Sequence, residues 1–100
     1  MVRYTIITYS KAREFIESLT KEEKARVDRA YYLFEEYGTF LPSKYLKKLK
    51  SVVWELRPGN VRLFLTLKGH EAYVVHGIHK KSQKTPKMDL ELAIKRIKEI

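Results

Sequence analysis

Cysteine is absent from this 100-residue chain. That excludes disulfides, thiolate zinc centres and cysteine nucleophiles, and it is compatible with a reducing cytosol. No apolar run approaches the roughly 20 residues needed to span a bilayer. Met1-Val2-Arg3-Tyr4 opens a strand-like segment rather than a signal peptide, so a cytoplasmic protein without a membrane partner is expected. Gly-rich phosphate loops, a GxSxG nucleophile elbow and an HExxH pair are missing too, and the three histidines are dispersed. No metal and no cofactor is therefore expected. No repeat, Ser/Gly linker or low-complexity segment interrupts the chain, and 44% hydrophobic content is enough for one domain, residues 1–100, to bury a core unaided.

Acidic residues are the other scarcity: 12 Asp and Glu against 21 Lys and Arg leave a net charge of +9. The imbalance is segregated. Residues 1–40 carry seven of each sign, whereas residues 41–100 carry fourteen basic and five acidic side chains, net +9. A basic surface can serve solubility alone, but an excess confined to one part of the chain points to a polyanionic partner, nucleic acid first.

The pattern of apolar residues orders the elements. Tyr4 to Tyr9 is β-branched and aromatic, a first strand. Ser10 then caps a helix carrying Ala12, Phe15, Ile16 and Leu19 on one face. Thr20 with Glu23 three residues on is a capping-box signature for a second helix, with Val27, Ala30, Tyr31 and Phe34 in phase and a stop near Gly38. After a basic link, Lys44 to Lys50, come three period-two runs: Val52 to Arg57, Val61 to Lys68 and Ala72 to Lys80. Pro58-Gly59-Asn60 and Gly69-His70 join them as turns, giving an antiparallel meander. Thr85 caps a last helix with Pro86 at its first position and Leu90, Ala93, Ile94 and Ile97 on its apolar face. The order is βααβββα, an α+β domain whose antiparallel sheet packs against two N-terminal helices with a C-terminal helix.

The stretch from His76 to Lys87 stands out, with two histidines, four lysines and no acidic residue at a strand end running into a helix start. Together with Leu46 and Leu49 in the Lys-rich link, Val-Trp-Glu-Leu-Arg (53–57) and Val-Arg-Leu-Phe (61–64), the block His-Gly-Ile-His-Lys-Lys-Ser-Gln-Lys-Thr-Pro (76–86) resembles the HigB-like, phage-derived branch of the RelE/ParE toxin superfamily. The likeness runs from about Lys44 to the C-terminus, and the strand-helix-helix start agrees with it in order.

The resemblance implies the toxin of a type II toxin–antitoxin pair, held inactive by a HigA-like helix-turn-helix antitoxin and acting with ribosome and messenger RNA as partners. Its RelE-like and HigB-like members cut mRNA in the ribosomal A site without a metal, by attack of a ribose 2′-hydroxyl on the adjacent phosphate. ParE-like members instead inhibit DNA gyrase, and a non-catalytic nucleic-acid-binding module is a third reading.

The cutting reaction needs a base, cations for the phosphate charge, and a proton for the leaving oxygen. Arg62 is the leading candidate: it resembles the family's phosphate-contacting arginine, although Val61 stands where an aromatic neighbour is common. Alternation places Val61, Leu63, Leu65 and Leu67 on one face and Arg62, Phe64 and Thr66 on the other. Arg57 shares its parity with Val53 and Glu55 and can join Arg62 across the hairpin, while Glu55 orients it, acts as base, or simply pairs with it. Lys80 and Lys81 occupy the region where the family places cations, and His79, with an unperturbed pKa of about 6.5, is suited to acid–base work. His76, in phase with Ala72, Val74 and Ile78, is expected to be packed. Tyr45, Lys47, Lys48, Lys50, Lys84 and Lys87 are candidate RNA contacts.

Overall fold

The computed structural model describes residues 3–80 and 85–100. A strand β1 (Thr5–Thr8) leads into helices α1 (Ser10–Glu17) and α2 (Lys21–Tyr37), then a single 3-10 turn, Gly38–Phe40. Strands β2 (Leu46–Lys48), β3 (Trp54–Leu56), β4 (Val61–Lys68) and β5 (Glu71–His79) follow, and helix α3 (Lys87–Lys98) closes the chain.

The strands make one five-stranded sheet in the order β1-β5-β4-β3-β2. Its last four strands are antiparallel neighbours, as the turn chemistry at Pro58–Asn60 and Gly69-His70 demands. Two expectations are corrected here. The sheet is mixed, because β1 runs parallel to β5 from Thr5 opposite Glu71 to Thr8 opposite Val74. The pairing partner of a strand followed by two helices is set by tertiary packing, and no local signal carries it. The basic link, in turn, contains the edge strand β2, whose one buried residue, Leu46, is too little to show a period.

Both faces of the sheet are covered in part. On the first, Val61, Leu63, Leu65, Ala72 and Val74 pack under α1 and α2 with Ala12, Leu19, Val27 and Phe34. On the second, Val53, Phe64 and Val75 pack under α3 with Ala93 and Ile97. Between these clusters β5 makes an irregular step: Leu65 pairs with Val74 but Phe64 pairs with His76, leaving Val75 as the extra residue of a bulge. This breaks the expected phase of His76 with Ala72 and Val74. The His76 ring instead stacks on Phe64, with centroids 5.7 Å apart, under α3.

Local signals explain the helix ends with two corrections. The capping box is present: the Glu23 amide donates to Thr20 Oγ1 (3.2 Å) and the Thr20 amide to Glu23 Oε1 (3.0 Å). Gly38 ends α2 with φ 53°, and a Cβ there would collide with the Tyr4 ring, so both backbone and space require glycine. Ser10, however, is the first residue of α1 and Tyr9 occupies the cap position without a side-chain bond. Likewise Pro86 is the cap of α3, and the Thr85 hydroxyl is spent elsewhere, as described below.

Candidate functional site

Alternation along paired strands decides which side chains share the second face of the sheet. Lys47 pairs with Glu55, Glu55 with Phe64, and Arg62 with Ile78, so these project to the α3 side of the sheet. Glu55 is 2% exposed. Burying an unpaired carboxylate costs several kcal/mol (~), and its partners explain how it is tolerated: Arg57 Nε donates to Oε1 (2.8 Å) and the Thr85 hydroxyl donates to Oε2 (2.9 Å). Arg57 Nη1 also donates to the Ser43 carbonyl at 3.3 Å. With both oxygens engaged, Glu55 holds Arg57 in one orientation.

Arg62 is anchored by one nitrogen. Its Nη1 donates to the carbonyls of Gly59 and Val61, both at 2.8 Å. Among the described residues no hydrogen bond engages its Nε or Nη2, and those two donors match the fork by which a guanidinium grips a phosphate. Partial burial lowers the Arg62 pKa, the Glu55 carboxylate raises it, and the Arg57 guanidinium lowers it. The group remains a cation at physiological pH, but one less hydrated than a surface arginine. A second cation nearby, with the single carboxylate between them already matched, leaves a net positive site suited to an anion.

The other expected residues divide. Lys80 is exposed immediately beyond β5, its amide bonded to the Asn60 carbonyl at 2.7 Å, so Lys80 itself lies against the β3–β4 turn that leads into Arg62. Lys81 and Lys84 lie outside the described residues. Lys47 shares the Arg62 face, whereas Lys48 lies on the opposite face with its Nζ 5.7 Å from the centre of the Trp54 ring. Tyr45, Lys50 and Lys87 are exposed, Lys87 as the first residue of α3.

His79 is placed differently from its expected position in one centre with Arg62. It pairs with Val61, and so faces α1 and α2. Its Nε2 lies 3.1 Å from Glu23 Oε2 and its ring meets Phe15 edge-on. The separation of residues 79 and 62 follows from the register of β4 on β5, Arg62 opposite Ile78 and Val61 opposite His79, which is a tertiary fact. His76 is packed, as expected. Arg96 Nη1, which can only donate, lies 2.9 Å from His76 Nδ1, so that nitrogen accepts and Nε2 carries the proton given to Asp89 Oδ1 at 2.8 Å. The imidazole thus ties β5 to α3.

Glu23 was visible in sequence only as a helix cap. In the fold its Oε2 also receives Asn60 Nδ2 at 3.1 Å, so that one carboxylate joins the start of α2, the β3–β4 turn and the end of β5. The Thr20 amide is the largest influence and lowers its pKa; burial opposes this, and Asn60 and His79 lower it further. A depressed carboxylate contributes stability that is present above its unfolded pKa and lost as pH falls through the folded one. Thermal melts from pH 7 downward should therefore show stability falling on the acid side of the ordinary carboxylate range. Glu23→Gln should be less stable than the parent at neutral pH and show a shallower acid loss; an unchanged acid limb would remove Glu23 from this role.

Among the described residues no group of three or more His, Cys, Asp or Glu could hold a metal ion, and no helix is long and apolar enough to cross a membrane.

The arrangement of strands, helices and cations can be set beside known proteins. The family model described as "Phage derived protein Gp49-like (DUF891)" matches residues 14–98. The chain belongs to the Gp49-like family. Its fold is also that of the RelE proteins. The toxin–antitoxin complex RelBE2 from Mycobacterium tuberculosis aligns at TM-score 0.65 and 19% identity, over 79% of this chain and 100% of that one. The archaeal RelE–RelB complex from Pyrococcus horikoshii OT3 aligns at TM-score 0.68 and 15% identity, over 84% and 100%. No curated protein matches the chain. At such identities the structural likeness concerns the fold, so the chemistry of this Gp49-like protein must be argued from its own side chains.

Proposed function

We propose that this Gp49-like protein is the toxin of a type II toxin–antitoxin pair, of the HigB-like kind, and that it cuts messenger RNA on the ribosome. The observation that carries this reading is the Arg62–Arg57–Glu55 group on the sheet's second face, in a RelE fold. Arg62 presents Nε and Nη2 to the scissile phosphate, Arg57 adds positive charge beside it, and Lys47 and Lys80 hold the flanking backbone. In the cutting step the ribose 2′-oxygen bonds to phosphorus and the bond from phosphorus to the 5′-oxygen breaks. The 2′-hydroxyl proton leaves to a base and the 5′-oxygen gains one, giving a 2′,3′-cyclic phosphate and a 5′-hydroxyl. Stabilising the extra charge on the phosphoryl oxygens is the contribution a buried-edge guanidinium makes best. Lys81 is proposed to join that site, while Lys48, Lys50, Lys84 and Lys87 contribute salt-dependent contacts to the backbone. His79, across the sheet and held by Glu23, orients the end of β5 that carries Lys80.

The matched structures are the RelBE2 toxin–antitoxin complex and a RelE–RelB complex; for this chain a HigA-like helix-turn-helix antitoxin is proposed, its complex repressing its own operon. Induced expression of the chain alone should arrest growth and cut messages within translated frames. DNA damage with messages intact would support gyrase inhibition instead, and unimpaired growth would support a non-catalytic binding module.

A further inference from the structure

A cavity of about 210 Å³ lies on the other side of the β3–β4 turn from Arg62, between α2 and the ends of β2 and β3. Its floor is apolar, from Leu33, Leu41 and Leu56, and Tyr45 supplies an aromatic wall. Arg26 and Arg29, both exposed, and Arg57 supply the rim. The volume is below the roughly 300–1,000 Å³ of sites for drug-sized ligands, which fits one ring system. Apolar floor, aromatic wall and cationic rim together match a flat base joined to phosphates: the base removes the floor and the Tyr45 face from water while the phosphates stay at the arginines.

Contiguity with the Arg62 site favours RNA over an acidic peptide as the occupant. Gly59 lines the cavity, and its carbonyl accepts from Arg62 Nη1. Arg26 packs so closely on Gly59 that a Cβ there would lie 2.6 Å from Arg26 Cδ. Arg57 lines the cavity and also holds Glu55. The β3–β4 turn, through Gly59, is thus the element shared by the Arg62 site and the cavity, and a strand with its phosphate at Arg62 reaches the cavity by passing over that turn. Resting on the RNA-cutting reading above, we propose that this cavity receives the base of a nucleotide flanking the cut, and so contributes to the choice of site.

The test is nuclear magnetic resonance on the isotopically labelled full chain, with AMP, ribose 5-phosphate and a 2′-O-methyl RNA oligonucleotide that cannot be cut. AMP should shift the Leu33 and Leu41 methyls saturably and ribose 5-phosphate should not. Arg29→Ala, on the exposed rim, and Ala30→Phe, which fills the cavity, should each weaken AMP binding by about tenfold, within the range for losing one stacked base. The oligonucleotide should shift both these methyls and Ile78 beside Arg62. Shifts at Ile78 without Leu33 and Leu41 would overturn the base pocket and leave the RNA-cutting reading intact; shifts at neither would overturn both. AMP binding no better than ribose 5-phosphate, or a Glu/Leu peptide shifting the methyls where AMP does not, would also overturn the pocket.

Discussion

Phe34→Ala is expected to destabilise the fold by about 3–5 kcal/mol, the range for removing a large buried aromatic side chain. Phe34 is fully buried, in the layer between α2 and the sheet, and its ring lies 5.0 Å from that of Tyr4, the residue before β1. Removing it opens a cavity with rigid walls on both sides, since Val27 and Leu63 belong to the same buried cluster. Domains of this size have a total stability of roughly 5–15 kcal/mol, so the variant should lose from about a fifth to all of that margin and melt at least about 12 °C lower. Equilibrium denaturation is the measurement. A cost under about 1 kcal/mol would mean that this layer is not tightly packed as described.

The second large effect concerns chemistry. Arg62→Ala should lower the rate of RNA cleavage by about 10²–10³-fold, the usual cost of losing one preorganised donor to developing charge. Folding should change little, because among the described residues the side chain gives up two bonds, to the Gly59 and Val61 carbonyls at the turn. Arg62→Lys keeps the charge and loses the fork, so it should recover part of the rate. Single-turnover cleavage of a message on ribosomes, with melts run in parallel, separates the two contributions. A variant as active as its parent would dismiss Arg62 from the reaction.

The legibility of this fold followed the range of the interactions. Elements set by neighbours in sequence were readable: the Thr20–Glu23 capping box, the stop at Gly38, and strands β3, β4 and β5 with their turns. Parity alone put Arg62 opposite Leu63 and with Phe64, as found. Features set by distant partners were not. The parallel pairing of β1 depends on the two helices returning the chain to β5, and the edge strand β2 exists because β3 offers it hydrogen bonds. Thr85 read as a helix cap because a threonine before proline satisfies that pattern; nothing local shows that Glu55, 30 residues away, competes for its hydroxyl. His79 read as part of the Arg62 centre because the two belong to adjacent strands in a basic stretch, yet the register turns their side chains to opposite faces. The cavity beside Arg57 could not be anticipated, since α2 supplies Arg26 and Arg29 from a stretch whose net charge is zero.

RNA cutting at this sheet face, by 2′-hydroxyl attack on the ribosome, is proposed and can be measured directly. The most direct measurement is to translate a defined message in a purified system with the protein added and to determine the chemistry of the new RNA ends. Cuts inside the reading frame, dependent on ribosomes, with 2′,3′-cyclic phosphate upstream and 5′-hydroxyl downstream, are predicted. Intact messages, or cuts that leave 5′-phosphates, would contradict it.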